Sequence, residues 1–224
     1  MKIKCGKCGK IVNKRREVVE DQAQFLGITL EEYKMFYLCR RCREYPFFDW
    51  NNISVHPNLL QHPDFIEKYK DKLRWWKICE EQQLPESFIE KYEQYVDWLE
   101  IYQHQKLSEQ FIEKRIPDFD EATWNIILAY QKLSIEFIER HIEHINKSSY
   151  SWVILSGYQQ LPEWFIDKYA DKVSWHDISL FQQLTPVFIV KHIDKIEESI
   201  LLNRKVMNML PDSLKLLLKQ KFNK

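Results

Sequence analysis

The sequence predicts an all-α protein, a right-handed α-solenoid of short helix pairs that follows a small zinc-ribbon or treble-clef-like module. Three observations carry this prediction: a tandem repeat, two cysteine pairs near the N-terminus, and only 4 glycines in 224 residues. So few glycines disfavour the phosphate-binding loops of Rossmann and P-loop enzymes, and also a turn-rich all-β fold. We therefore predict two domains, a four-cysteine module at residues 1–45 and a helical repeat domain at residues 46–224.

Charge is unevenly distributed along the chain. The 33 basic and 33 acidic side chains balance overall, yet residues 1–43 contain 11 Lys or Arg against 5 Asp or Glu, and the remainder contains 22 against 28. A basic module therefore precedes an acidic body. Such asymmetry fits a nucleic-acid-binding or acidic-partner-binding module, or simply solvated lysines that keep a small module soluble.

The N-terminal module has the cysteine spacing of a zinc site. Two Cys-x2-Cys pairs, Cys5 with Cys8 and Cys39 with Cys42, supply the four thiolates that tetrahedral zinc prefers. Gly9 permits a turn with positive φ directly after the first pair. Four thiolates close the coordination sphere, so we predict a structural zinc ion rather than a catalytic one. Disulfides and a redox-active pair are the competing interpretations.

The thirty residues between the two pairs leave the subtype of the module open. Residues 29–32, Thr-Leu-Glu-Glu, predict the start of a short helix. Residues 33–38 could equally form a strand that leads into the second pair.

The body is a tandem repeat. Phe-Ile recurs six times at intervals of 23 to 28 residues, and a tryptophan lies thirteen residues before all but the first. The phenylalanines are Phe65, Phe88, Phe111, Phe137, Phe165 and Phe188, and the tryptophans are Trp75, Trp98, Trp124, Trp152 and Trp175. Five matching periods of this length are typical of solenoids, whose repeats bury a continuous core by stacking.

Each repeat is predicted to contain two short helices. The first begins at the tryptophan, because the preceding residue is usually a helix-capping type, such as Asp97, Thr123 or Ser151. The second begins at a Ser or Pro ahead of Phe-Ile. Insertions near residues 117–120 and 146–149 are expected in loops. Residues 210–214 predict a degenerate seventh repeat that closes the C-terminal end, and Cys79 is predicted to be a buried apolar side chain.

The pattern Trp-x2-Ile followed by Gln-x-Leu-[Ser/Pro]-Glu-x-Phe-Ile-Glu-Lys resembles short tandem repeats in uncharacterised proteins of phages and giant DNA viruses. The resemblance covers roughly residues 48–215. It implies a viral origin and a role within or against a host cell, and it implies no activity. The four-cysteine module lies outside the pattern.

Several repeated columns invite functional interpretation. The glutamines six residues before each phenylalanine could form a recognition stripe, but we predict an internal ladder in which each amide binds backbone carbonyls. The basic column three residues after each phenylalanine could bind phosphate, although a preceding acidic residue predicts a neutral face. The tryptophans are predicted to pack in the core rather than stack on bases. His141 and His144 are expected at the surface.

No catalytic motif is recognisable, so we predict a non-enzymatic protein. The leading hypothesis is an adaptor or inhibitor that binds another protein, without a membrane or a small-molecule substrate, in the cytoplasm or the interior of a host cell. The alternative is a protein that binds DNA or RNA through its basic module. The residues assigned to that alternative are Lys7, Arg15, Arg16, Arg40, Arg41 and Arg43.

Overall fold

The computed structural model describes residues 1–37 and 49–222. The described chain is mostly helical, with one small two-stranded sheet, which confirms the all-α class. It divides into two compact units, Met1–Gln105 and Lys106–Lys224. The predicted boundary between residues 45 and 46 lies outside the described residues. No helix in the described part is long and apolar enough to cross a membrane.

The first unit opens with a short hairpin. Strand β1 (Lys2–Lys4) pairs antiparallel with β2 (Ile11–Asn13), and Ile3 lies opposite Val12. The central residue Ile3 is buried, whereas both lysines of β1 are exposed. The hairpin therefore presents its charges to solvent and its apolar side to the core.

Two helices follow the hairpin. Helix α1 (Arg16–Leu26), which the sequence reading missed, is followed by Gly27 at φ 67°. Helix α2 (Leu30–Met35) begins as predicted, because the hydroxyl of Thr29 accepts from the backbone of Glu32 while the Glu32 carboxylate accepts in return. The predicted alternative of a strand over residues 33–38 is wrong for its first three residues, which belong to α2; residue 38 is outside the described range.

The repeat helices of both units are short. The first unit continues with α3 (Trp50–Ser54), α4 (Pro63–Tyr69), α5 (Trp75–Glu81), α6 (Glu86–Lys91) and α7 (Trp98–His104). The second unit contains α8 (Glu109–Glu113), α9 (Glu121–Tyr130), α10 (Ile135–Arg140), α11 (Ile142–Ile145), α12 (Ser149–Tyr158), α13 (Glu163–Lys168), α14 (Trp175–Phe181), α15 (Pro186–Lys191), α16 (Arg204–Met209) and α17 (Asp212–Lys221). Single 3-10 turns lie at Leu59–Gln61, Ile116–Asp118 and Glu198–Leu202.

Most predicted helix starts are confirmed. Asp97 and Ser174 cap tryptophan helices through their side chains, and Ser108 caps a second helix by accepting from the N–H of Phe111. Thr123 and Ser151 were predicted as caps and are not, because the insertions extend α9 and α12 by about one turn towards the N-terminus. Asp120 and Ser148 cap the extended helices instead.

The insertions also change the bonding of the tryptophans. In 23-residue repeats the indole Nε1 donates to the carbonyl five residues earlier, Trp75 to Lys70 at 2.8 Å and Trp175 to Ala170 at 2.9 Å. In the lengthened repeats the indole nitrogens of Trp124 and Trp152 are buried without a hydrogen-bond partner. The extended helix replaces the turn that supplies the carbonyl.

The core consists of the repeated apolar positions. The isoleucine or leucine three residues after each tryptophan is 0% exposed in every repeat from Ile53 to Ile178. Tryptophan rings pack over aromatic rings of their own repeat, as Trp152 does on Tyr169 with ring centroids 5.1 Å apart. Trp124 and Trp152 are each only 3% exposed. The predicted core role of the tryptophans is therefore confirmed.

Candidate functional site

The first cysteine pair lies in a tight turn between β1 and β2. The backbone N–H of Gly9 donates to the carbonyl of Cys5 at 2.9 Å, and Gly9 has φ 71°, as the glycine after the pair predicted. The N–H of Cys5 in turn donates to the carbonyl of Lys10 at 2.9 Å. Cys5 is buried, whereas Cys8 is exposed. The turn therefore holds the two cysteines of the pair on a well-bonded backbone.

The second pair, Cys39 and Cys42, lies outside the described residues, together with Arg40, Arg41 and Arg43. Within residues 1–37 and 49–222 no three His, Cys, Asp or Glu side chains come close enough to hold a metal ion. The N–H of Gly6 donates to the carbonyl of Tyr37 at 3.0 Å. The chain that leads into the second pair is therefore bonded to the turn that carries the first.

A buried histidine lies against this turn. His56 is 0% exposed, and burial is the main cause that lowers its imidazole pKa to about 4. Its Nδ1 accepts from the backbone N–H of Asn58 at 3.2 Å, and its Nε2 has no hydrogen-bond partner. A Cβ atom placed on Gly6 would lie 2.1 Å from Nε2. Sequence reasoning missed this residue because it departs from the glutamine consensus.

Among the predicted nucleic-acid-binding residues that are described, Lys7 and Arg15 are exposed. Arg16 is also exposed, but its guanidinium binds Glu20 at 2.7 Å within α1. Exposed pairs of this kind contribute little to stability and partly neutralise the arginine. Lys2, Lys4 and Lys10 add to the exposed basic surface of the hairpin.

The predicted glutamine ladder is confirmed. The side-chain amide of Gln105 donates to the carbonyls of Cys79 and Gln82, both at 2.7 Å, and its oxygen accepts from the N–H of Leu84 at 2.8 Å. Gln182 repeats this arrangement with Ser156, Gln159 and Leu161. Each glutamine thus satisfies three backbone groups of the preceding repeat.

Two polar residues extend the ladder where the sequence consensus does not. Asn203 donates to the carbonyls of Ser179 and Gln182 at 3.1 and 2.9 Å, and its oxygen caps α16. At the other end, Gln82 donates to the carbonyls of Ser54 and His56. His56 therefore holds the ladder position of the first repeat.

The basic column is neutralised between repeats. Asp167 accepts from Lys191 at 2.7 Å and contacts His192 at 2.5 Å, both in the following repeat. Glu113 makes the same two contacts with Arg140 and His141. We call each such group a carboxylate clamp: one acidic residue that binds a basic residue and a Tyr or His of the next repeat. The prediction of a neutral face is confirmed, although the partners come from different repeats.

A carboxylate clamp also joins the N-terminal module to the first repeat. Glu32 of α2 accepts from Lys68 and from the hydroxyl of Tyr69, each at 3.0 Å. Burial on its own raises the pKa of Glu32, but hydrogen bonds from the backbone of Thr29 and from Lys68 outweigh it and lower the pKa. The Tyr-or-His position directly after the basic column was the sequence signal for these contacts.

His141 and His144 are not surface residues as expected. The imidazole of His144 stacks on the ring of Trp124, with centroids 5.1 Å apart and planes 24° apart. His141 contacts the same tryptophan at 5.7 Å and holds the Tyr-or-His position of its carboxylate clamp. Burial is the largest cause that lowers the pKa of His144. Both histidines are half-buried because the long α9–α12 segment folds them onto the tryptophan.

A column of exposed apolar side chains runs along the second unit. It lies directly before the ladder residues Gln131, Gln159, Gln182 and Asn203. Its members are Tyr130, Tyr158, Phe181 and Leu202, which are 57%, 65%, 56% and 72% exposed. We call this set the aromatic column. In the first unit the same position holds Glu81 and His104, so the apolar character is confined to the second unit.

Comparison of the chain with protein-family models, with curated proteins and with solved structures gave no match.

Proposed function

We propose that the protein is a non-enzymatic interaction protein, an adaptor or inhibitor whose repeats stack as a right-handed α-solenoid behind a structural zinc module. The support for stacking is the repeated bonding between neighbouring repeats. Glutamines and carboxylate clamps direct most repeated polar side chains to the adjacent repeat, which leaves few of them for a ligand. A solenoid of this kind presents an extended surface to a macromolecular partner.

The observation that carries the proposal is the aromatic column. The ladder fixes the residue that follows each member, so Tyr130, Tyr158 and Phe181 repeat with the same local geometry. Tyrosine, phenylalanine and other large apolar residues are enriched at the centres of protein interfaces. Exposed apolar side chains that recur in register are costly in water unless a partner covers them. We infer that the partner is a protein that binds along this column.

Removal of the column tests the proposal. A variant with Tyr130→Ser, Tyr158→Ser and Phe181→Ser should lose its protein partner in quantitative affinity capture and in direct binding to that partner once purified. The matched control is Trp164→Ser, Val187→Ser and Val190→Ser, which removes exposed apolar side chains from second helices. Retention of the partner by the column variant, at unchanged stability, would contradict the proposal.

A structural zinc ion bound by Cys5, Cys8, Cys39 and Cys42 completes the proposal. The bond from Gly6 to Tyr37 supports it, because Cys39 follows Tyr37 by two residues and two residues of chain span at most about 7 Å. The orphaned Nε2 of His56 and the absence of a Cβ on Gly6 fit a polar site beside the first pair. Elemental analysis should find about one zinc per chain. Absence of zinc, with four titratable thiols, would contradict this part of the proposal.

A second candidate function is nucleic-acid binding through the hairpin. The favouring observation is that Lys2, Lys4, Lys7, Lys10 and Arg15 are exposed and form no ion pair with a described carboxylate, unlike the basic column of the repeats. Phosphate contacts would make binding fall steeply with salt. Charge reversal at Lys7, Arg15, Arg40, Arg41 and Arg43 should then weaken DNA or RNA binding about equally across sequences. Salt-independent or absent binding would exclude this candidate.

A further inference from the structure

His56 stands at the start of the ladder. Its N–H donates to the carbonyl of Ile53 at 3.1 Å, just as the N–H of Gln82 donates to Ile78 at 3.0 Å. Its carbonyl accepts from the amide of Gln82 at 3.1 Å. In later repeats, the side chain at this position donates a hydrogen bond to the preceding repeat. For His56, the preceding element is the turn that contains the first cysteine pair.

The imidazole is fitted to that turn. Its Nε2 lies so close to Gly6 that any larger residue there would overlap the ring, since the added Cβ would come within 2.1 Å. The N–H of Gly6 is already bonded to Tyr37 at 3.0 Å, so the turn is held in place from the other side. Phe36 packs edge-on against the ring, with centroids 5.3 Å apart. The histidine therefore has a fixed position between Gly6 and Phe36.

The hydrogen bond at Nδ1 determines what Nε2 can do. Because Nδ1 accepts from the N–H of Asn58, the proton of the neutral ring lies on Nε2. This Nε2–H is fully buried and has no acceptor. A buried donor without an acceptor is strongly unfavourable, so an acceptor that is missing from the described residues is expected beside Gly6.

We propose that the Nε2–H of His56 donates to a thiolate of the four-cysteine zinc site. The inference rests on the structural zinc proposed above. Four thiolates around one divalent ion leave an excess of negative charge, which a hydrogen bond to sulfur offsets. His56 is a positioning residue and not a ligand, because a histidine that ligates through Nε2 donates its Nδ1–H, whereas Nδ1 here accepts. The first rung of the ladder thereby attaches the metal site to the first repeat.

The experiment uses the full-length zinc-loaded protein and compares substitutions at two neighbouring histidines. His56→Phe removes the donor, and we expect zinc affinity, measured by competition with a chelator, to fall about 10–100-fold. His56→Gln restores an N–H donor near the Nε2 position and should recover most of the affinity. The matched control is His62→Phe, since His62 packs on the same Phe36 ring with centroids 5.4 Å apart. This control should bind zinc as the unsubstituted protein does.

Nuclear magnetic resonance of the unsubstituted protein provides a second readout that does not depend on whether a variant folds. After cadmium replaces zinc, the His56 Nε2–H should show scalar coupling to the metal across the sulfur atom. Absence of zinc from the protein would overturn both the proposed metal site and this inference. Bound zinc, with equal affinity in His56→Phe and no coupling, would overturn only the role of His56. An Nε2 without a proton and coupled directly to cadmium would make His56 a ligand and would also overturn it.

Discussion

The side-chain nitrogen of Gln182 lies 2.8 Å from the backbone oxygen of Gln159, the residue that holds the same position one repeat earlier. Gln182→Ala removes this bond, a second to Ser156 and a third from Leu161. Buried backbone groups would lose their partners, so we expect a loss of about 2–5 kcal/mol in the free energy of unfolding. Urea denaturation followed by circular dichroism measures this change.

The adjacent glutamine is the matched control for the ladder. Gln183 is exposed, so Gln183→Ala should change the free energy of unfolding by about 0.5 kcal/mol or less. Equal effects at the two positions would show that the ladder bonds contribute nothing beyond side-chain size.

Two glycines should respond to alanine in opposite directions. Gly6→Ala would drive a Cβ to 2.1 Å from the His56 ring, so we expect overpacking to cost about 1–3 kcal/mol. Gly157 lies inside α12, and its added Cβ would meet Phe181 at an ordinary 3.7 Å. Gly157→Ala should therefore stabilise the protein by about 0.5–1 kcal/mol. Thermal unfolding compares the two variants, and a neutral Gly6→Ala would place the His56 ring elsewhere.

The carboxylate clamp of Asp167 predicts a pH dependence of stability. The pKa of Asp167 is lowered, first by the hydrogen bond from Lys191 and also by that from His192. A lowered folded-state pKa stabilises the protein above the unfolded value of about 3.9, and this stabilisation is lost as the pH falls through the folded-state pKa. Asp167→Asn should remove that part of the acid dependence. Denaturation midpoints measured from neutral pH to below about pH 4 report it.

Asp171 provides the comparison for this measurement. Its side chain is 98% exposed, and its oxygen lies 3.8 Å from Lys195. We expect Asp171→Asn to keep the acid dependence of the unsubstituted protein. If Asp167→Asn and Asp171→Asn behaved alike, the clamp would have no electrostatic effect on stability.

Cys79 should tolerate serine better than valine. Its sulfur accepts from the backbone N–H of Asp97, and burial is the main cause that raises the pKa of its thiol to about 11. Ser54, Ser156 and Ser179 hold the same position in other repeats, where each hydroxyl accepts from a backbone N–H of the next repeat. Cys79→Ser keeps an acceptor for Asp97, whereas Cys79→Val removes it at a cost of about 0.5–1.5 kcal/mol. Denaturation curves in which valine matched or exceeded serine would contradict the assigned bond.

The repeated positions made the helices, the ladder and the buried tryptophans predictable. The buried cysteine at position 79 was predictable for the same reason, since it lies in a periodic apolar helix. Position 56 was not, because its histidine replaces the consensus glutamine and its role depends on Gly6, fifty residues away in the sequence. The long separation hides the contact from any local pattern.

The failed helix starts have a different cause. Thr123 and Ser151 are capping residue types at the consensus position, but the insertions place Asp120 and Ser148 ahead of them. Helix propagation through three further residues buries additional apolar contacts, and the earlier cap then satisfies the free N–H groups. Likewise, the clamps of Glu113 and Asp167 depend on how neighbouring repeats pack, which residue spacing within one repeat does not report.

The amide contacts all point towards the N-terminus: Gln159 binds Gln131, Gln182 binds Gln159, and Asn203 binds Gln182. A ribosome releases the carbonyls first and the amide that satisfies them one repeat later. During translation, the most recently emerged repeat therefore always awaits its successor, while every earlier repeat is already closed. Asn203 ends this sequence, because its amide oxygen turns onto the N–H of Val206 in its own helix.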